Sequence, residues 1–345
     1  MQTSMGRRPT SFDIAQLAGV SQPTVSRALR GSDSVSEGTR LRIEAIAQQL
    51  NYKVDKNASS LRRQTTNTLA LLLFEDPSPD GSMINPFFLS MLGSITRASA
   101  KAGYDLLISF QQFSSDWHVD YEDSRKADGV ILLGYGDYEH YRGRLDQLTA
   151  QGTHYVRWGA ASDITADCTI GCDNVGGGYL AAQHLLALGK KRIAFIGTAA
   201  ANCPELLDRF SGYRQALDEA GIAHDPALYH GANSVEEDGI IATDALLVNG
   251  VNFDAIFAAS DLIAIGAMHA LQNAGKSVPA DVAIIGFDDI SAAGLTSPPL
   301  STIRQDTIQA GEMLVDMLVH RIKNEEVDNI MIGGQLVVRK SCGAN

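Results

Sequence analysis

The sequence predicts an α/β chain in two parts: a small three-helix unit at the N-terminus, then a long body built on parallel sheet. Three observations carry this. Residues 10–30, TSFDIAQLAGVSQPTVSRALR, read as two short helices joined by a tight turn. From Thr68 onward, short apolar runs alternate with stretches of helical period. Between the two lies DKNASSLRRQTTN, residues 55–67, which is polar and has almost nothing to bury. The expected partition is therefore 1–54, 55–67 and 68–345.

In the first unit, Thr10 or Ser11 can cap the opening helix, and Thr10-x-x-Asp13 has capping-box spacing. Ile14, Leu17 and Ala18 sit three and four apart and predict one inward stripe. Gly19 allows a sharp turn where a side chain would cost energy. Ser21 can cap the second helix, and Pro23 falls in its first turn, where the missing N–H is not needed. Val25 and Leu29 are expected inside, which leaves Gln22, Pro23, Ser26 and Arg27 facing out. A third helix from about Ser36 would bury Leu41, Ile43, Ile46, Ala47 and Leu50 and end near Asn51. A second helix with an outward polar face is what a helix-turn-helix sets into a DNA major groove.

In the body, strands are expected at 69–74, 105–110, 129–134, 154–159, 192–197, 254–259, 282–287 and 301–305. Helices are expected near 87–102, 175–188, 206–220, 235–248, 261–274 and 307–323. Continuous apolar strands with intervening amphipathic helices imply parallel sheets covered on both faces. The body is long for one such sheet. Two lobes with a ligand crevice between them are the natural solution, because open α/β sheets bind ligands beyond the strand C-termini.

Composition narrows the function class. The chain has 345 residues, 45% hydrophobic and 20% charged, with a net charge of −12. That charge is unevenly placed. Residues 1–63 hold ten Lys/Arg against five Asp/Glu, a balance of +5, and the remainder holds 18 against 35, a balance of −17. A small basic head on an acidic body suits local phosphate binding with little sticking elsewhere. No apolar run is long enough to span a bilayer. The opening MQTSMGRRPTSFDIAQL lacks the apolar core of a secretion signal, so a cytoplasmic setting is expected. Cys168, Cys172, Cys203 and Cys342 form no C-x-x-C and read as reduced thiols. No metal or cofactor is expected.

Several motifs together resemble the lactose-repressor (LacI/GalR) family of bacterial transcription regulators. They are DIAQLAGVSQPTVSRAL at 13–29, VSEGTRLRIEAIAQQLNY at 35–52, NPFF at 85–88, ADGVILL at 127–133 and GCDNVGGGYLAAQHLLALGKKRIAFIG at 171–197. RFSGYRQAL at 209–217, SDLIAIGAMHALQNAGKSVPADVAIIGFDD at 260–289 and PPLSTIRQD at 298–306 complete the set. The resemblance spans essentially the whole chain. It implies a helix-turn-helix head, a hinge helix and a two-lobed core similar to periplasmic sugar receptors. It also implies a homodimer whose two heads read a near-palindromic operator on double-stranded DNA.

The resemblance assigns Gln22 and Pro23 to base choice. An amide suits adenine, and proline offers only apolar contact, as to a thymine methyl. It places Arg27 at a guanine edge, and Ser21, Thr24 and Ser26 at phosphates, which position without specifying. It makes 55–63 the hinge, with Leu61 as a minor-groove wedge at the operator centre, Ala58 one turn earlier on the same face, and Arg62 beside the groove. The family usually has a proline near Val54 and an apolar residue at Asn57, and this chain departs at both.

For the effector, the resemblance points to Phe87 and Phe88 on the first lobe, with Phe88 as the stacking surface. On the second lobe it points to Arg209, Asn233, Ser260 and Asp288. Asn233 stands where relatives often carry an aromatic. An Arg and an Asp opposed across a dry crevice suit the vicinal hydroxyls of a sugar, because each makes paired charge-assisted hydrogen bonds. Trp117, in a stretch shorter than the family's second helix of this lobe, and Trp158, at a strand end, are further stacking candidates.

The expected function is a repressor whose operator affinity falls when a small sugar binds between the lobes. The alternatives are a corepressor-dependent regulator answering a nucleobase and a soluble sugar receptor. A receptor calls for a secretion signal and no basic head. An enzyme on a doubly wound fold calls for a phosphate loop, and neither Gly134-x-Gly136 nor Gly176-Gly177-Gly178 completes one. VVRKSCGAN at the C-terminus carries no heptads, which favours a dimer over a tetramer.

Overall fold

The computed structural model describes residues 9–29, 31–52, 65–75, 83–134, 138–160 and 168–344. Ala58, Leu61 and Arg62 lie outside the described residues. The chain divides into two compact units, Met1–Thr66 and Asn67–Asn345.

The first unit holds α1 (Ser11–Ala18), α2 (Gln22–Ala28) and α3 (Glu37–Gln49). Thr10 caps α1, and the capping box with Asp13 is present on both sides. Gly19 takes the left-handed conformation at φ 63° that ends α1. Ser21 caps α2 by accepting from the backbone of Thr24. Ile14, Ala15, Ala18, Val25, Ala28, Val35, Ile43 and Ala47 form the core. Two expectations fail here. Leu17 and Leu41 are both exposed. At 100° per residue, the stripe on α1 is centred on Ile14, Ala15 and Ala18, which leaves Leu17 at its margin. Leu41 sits about half a turn round from Ile43, the residue that α3 buries most fully.

The second unit is two six-stranded sheets. In chain order its elements begin with β1 (Thr68–Leu73), α4 (Pro86–Lys101), β2 (Asp105–Phe110), β3 (Gly129–Leu133), α5 (Tyr138–Ala150), β4 (Tyr155–Trp158) and β5 (Thr169–Cys172). Next come α6 (Asn174–Ala187), β6 (Ile193–Ile196), α7 (Pro204–Glu219), β7 (Tyr229–His230), α8 (Glu236–Val248), β8 (Ala255–Ala258), α9 (Asp261–Asn273) and β9 (Ala283–Asp288). The chain closes with β10 (Ser301–Arg304), α10 (Thr307–Ile322), β11 (Ile330–Ile332) and β12 (Gln335–Val337). The first sheet runs β11-β5-β4-β3-β1-β2 and the second β12-β10-β9-β8-β6-β7. All pairings are parallel except β10 with β12.

The chain crosses between lobes three times: at Asp173 after β5, at Gln305–Asp306 after β10, and at Gly333–Gly334 after β11. The first and third crossings are tied together, with Asp173 N donating to the Ile332 carbonyl at 2.9 Å. Each crossing leaves from the C-terminal end of a parallel strand, so the C-terminal ends of both sheets meet at the lobe junction.

The first sheet has two apolar faces. Leu69, Leu71, Leu73, Ile131, Leu133, Val156 and Trp158 point to the large core shared with α4 and α10. The alternate residues Ala70, Leu72, Val130, Leu132 and Tyr155 point to a second cluster with Tyr138, Tyr141, Leu145 and Leu148. Between β2 and β3 a 3₁₀ turn at Gln111–Phe113 and a six-residue π-helical turn at His118–Asp123 stand in place of a full helix.

Candidate functional site

In the first unit, one seven-residue helix and its cap hold every described residue expected to touch DNA. Pro23 and Arg27 are exposed on α2, as is the capping residue Ser21. Gln22 is half-buried, its amide donating to Ser11 Oγ at 3.2 Å, which fixes the first turn of α2 against α1. The Ser21 and Thr24 hydroxyls bond each other at 2.9 Å. Ser26 is half-buried on the same helix.

The second constellation is at the lobe junction, and close backbone approach builds it. A Cβ on Gly178 would lie 2.1 Å from the Arg209 carbonyl oxygen, and one on Gly212 would lie 1.9 Å from the Val175 carbonyl oxygen. Helices α6 and α7 therefore touch through bare backbone. The Phe287 ring occupies the space a side chain at Gly177 would need. The triple glycine is thus a packing device, and Asp173 supplies the helix cap by accepting from Gly176 N at 2.8 Å.

This packing delivers Arg209 into a dry setting. Its Nε donates to Asn174 Oδ1 at 2.9 Å and its Nη1 to the Ala259 carbonyl at 2.5 Å. Asp288 Oδ1 is 3.5 Å from Nη1, and the guanidinium lies 3.7 Å from the centre of the Phe287 ring. Gln305, at the second lobe crossing, donates from Nε2 to Asp288 Oδ1 at 2.6 Å. Asp288 ends β9 at φ 115° and Asp289 follows at φ 57°, two strained conformations for residues with side chains. The strain is held in place by Arg304 and Arg339, which bond Asp289 at 2.7 and 2.6 Å.

Burial dominates the electrostatics. It pushes the Asp288 carboxyl up to about 6, with Arg209 and Gln305 acting in the opposite direction. Asp261, buried beneath, is raised for the same reason and by the charge on Asp288. Asp261 accepts from Thr302 Oγ1 at 2.6 Å and from Ile290 N at 2.9 Å, so it pins the loop that follows β9. Burial also pushes the Cys172 thiol up to about 12, which leaves it no nucleophile.

The remaining expected residues divide. Phe87 is buried, 5.8 Å from Trp158 and 5.2 Å from Phe88. Phe88 is half-buried over Gly134, at the C-terminal end of β3. These three aromatics gather at the strand ends of the first lobe. Ser260 is buried and spends its hydroxyl as the cap of α9, accepting from Ile263 N at 3.3 Å. Asn233 is exposed, with both its backbone and side-chain amides bound to Asp238. Trp117 is not brought to the junction. It lies in the second cluster, its indole N–H bonded to the Gln111 carbonyl at 3.2 Å and its ring under the Arg144 guanidinium. Sequence reasoning missed Asn174, Gln305 and Phe287 as site residues, although each falls inside or beside a motif it had singled out. Among the described residues no group of three or more His, Cys, Asp or Glu is placed to hold a metal, and no helix is long and apolar enough to cross a membrane.

Residues 12–55 match the family of bacterial regulatory proteins, lacI family, and residues 182–342 match a periplasmic binding protein-like domain. The HTH-type transcriptional regulator CelR of Thermobifida fusca is 31% identical over 341 residues, covering 97% of this chain and 98% of CelR. The chain belongs to the LacI family. Another relative is the ribose operon repressor of Escherichia coli strain K12, 31% identical over 320 residues, covering 91% of this chain and 93% of that one. The structure of this LacI-family chain is similar to a lac repressor dimer bound to operator and the anti-inducer ONPF. The TM-score is 0.83 and the identity 26%, over 98% of this chain and 100% of that one. It is also similar to a CelR–cellobiose complex, with a TM-score of 0.72 and 30% identity over 97% and 100% of the two chains. These relatives are regulators of transcription rather than enzymes.

Proposed function

We propose that the chain is a transcriptional repressor that binds a near-palindromic operator as a homodimer and releases it when a small sugar occupies the lobe junction. The observation that carries the sugar reading is the Arg209–Asp288 pair, 3.5 Å apart and almost sealed from water. The guanidinium and carboxylate present charge-assisted donors and acceptors side by side, which suits adjacent hydroxyls on a ring. Phe87, Phe88 and Trp158 supply an apolar wall on the opposite lobe for the C–H face of a sugar. Relatives with sugar-derived names or bound sugars, CelR and the ribose operon repressor, support the same class.

On DNA, Gln22 and Arg27 would read bases. Pro23 would touch a thymine methyl, and Ser21, Thr24 and Ser26 would hold phosphates. Leu61, with Ala58 and Arg62, would wedge the minor groove at the operator centre. The effector acts by differential affinity: it binds better to the lobe arrangement that binds operator worse. Calorimetric titration of the full chain with cellobiose, ribose and galactosides tests the ligand class. Heat from one of these sugars and none from free purine bases is expected, and the converse overturns the reading.

A further inference from the structure

Trp117 lies on the far face of the first sheet, yet one residue connects it to the crevice. Gln111 follows β2 and opens the 3₁₀ turn at the C-terminal end of that sheet. It is buried, and its side chain lies across the ends of two neighbouring strands. The Nε2 amide donates to the carbonyls of Leu72 at 3.1 Å, Leu133 at 3.3 Å and Gly134 at 2.9 Å. Three acceptors fix the orientation of the amide, because its oxygen in that place would face three oxygens. Leu72 belongs to β1, Leu133 ends β3 and Gly134 follows it, so the amide clamps the two strand ends together. Gly134 turns in the left-handed region at φ 75°, and a Cβ on it would lie 2.9 Å from Cε2 of Phe88. The Phe88 ring therefore rests directly on the Gly134 backbone. Phe88 lies 5.2 Å from Phe87, which lies 5.8 Å from Trp158, so the peptide under Phe88 sets one end of the aromatic wall. On its other side Gln111 is anchored by its own carbonyl, which accepts from the Trp117 indole at 3.2 Å. The Arg144 guanidinium covers the Trp117 ring at 4.9 Å and donates from Nη1 to the Ser114 carbonyl at 3.2 Å.

We propose that Gln111 is a positioning residue for the effector site, and that Trp117 acts on that site through it. Gln111 is almost sealed from solvent and offers a sugar nothing directly. It holds the Gly134 peptide, and so the Phe88 ring, where the C–H face of a sugar meets the wall. A wall fixed in advance adds affinity, because binding no longer bears the cost of ordering it. The inference rests on the reading of Phe87, Phe88 and Trp158 as the apolar wall for a sugar.

The test is a pair of double-variant cycles in the full chain. Gln111→Met keeps the length of the side chain and removes the donor, and Phe88→Ala removes the ring. The first cycle reads affinity by calorimetry for whichever of cellobiose, ribose and a galactoside the parent binds. Gln111→Met is expected to weaken binding about tenfold. In the Phe88→Ala background the same change is expected to weaken it less than about twofold. Trp117→Phe is the milder variant, with a ring still under Arg144 but no N–H for Gln111. It is expected to weaken binding about threefold in the parent and to add nothing in Gln111→Met. A side chain that merely fills the core lowers stability without this pattern in affinity. The second cycle reads the unfolding constant of the same variants by denaturant titration without sugar. Gln111→Met and Phe88→Ala are expected to depart from additivity there by a factor of at least about three. If no sugar binds, the sugar assignment fails, and the second cycle still decides whether Gln111 holds Phe88. Affinity of Gln111→Met within about twofold of the parent, or effects that simply multiply in either cycle, overturns the proposal.

Discussion

Replacing Arg209 with alanine removes the centre of the junction. The guanidinium makes two hydrogen bonds, faces Asp288 at 3.5 Å and stacks on Phe287. Breaking a buried pair from one side costs about 3–5 kcal/mol, because the other charge is left without compensation. In a unit of this size, 1 kcal/mol moves Tm by about 2 °C. The expected fall for Arg209→Ala is therefore about 6–10 °C by differential scanning calorimetry, together with loss of sugar response. Arg209→Lys keeps the charge but not the planar fork or the stack, and should recover less than half of the loss. The reasoning is sharpest in the double variant. Arg209→Ala/Asp288→Asn has no uncompensated carboxylate, so it should be more stable than the sum of the single changes by at least 1 kcal/mol. Strict additivity, or a Tm within 1 °C of the parent for Arg209→Ala, would refute the claim that this pair organises the junction.

Further outcomes follow from the same geometry. Gly212→Ala puts a methyl 1.9 Å from the Val175 carbonyl oxygen and should cost about 3 kcal/mol or more, read as a drop in Tm with weakened sugar binding. The Asp288 carboxyl has a folded value raised to about 6, so it stabilises the fold at low pH. That contribution is lost as pH rises through about 6. The stability of the parent relative to Asp288→Asn should therefore decline by about 2–3 kcal/mol between pH 4 and 8 in paired denaturant titrations. A level difference would remove burial as the dominant cause. Arg27→Ala should weaken specific operator binding by about 5–150-fold in fluorescence anisotropy while leaving the fold of the head intact. Ser21→Ala should instead lower the stability of the head by about 1 kcal/mol, through loss of the α2 cap.

Much of this was legible because periodicity and punctuation agree. Thr10, Asp13, Gly19 and Ser21 mark the ends of α1 and α2 by residue chemistry alone. The parallel strands announce themselves because burial on both faces demands unbroken apolar runs, as in LALLLF. Other elements were hidden for physical reasons. Helix α5 is polar, and its buried face is made of Tyr138, Tyr141, Leu145 and Leu148, with ring edges doing what aliphatic residues usually do. Strand β5 is TIGC, whose glycine lies against the Gly159 backbone, so it lacks the bulk that marks a strand. Strands β7, β11 and β12 are two or three residues long and exist only through their neighbours. In the site, Arg209 and Asp288 stand inside quoted motifs, but the roles of Ser260 and Trp117 could not be read from order along the chain. Ser260 is spent on a helix cap, and Trp117 belongs to the opposite face of the sheet. Those assignments are set by three-dimensional neighbours.

The central claim is that one chain both reads a palindrome and answers a sugar at the lobe junction. Selection of binding sites from a random duplex pool by the full chain, run with and without cellobiose, ribose or a galactoside, tests both halves at once. The account predicts enrichment of a near-palindromic site that one of these sugars abolishes. Enrichment of no palindrome, or a palindrome whose recovery none of the sugars alters and a free purine base strengthens, would contradict it.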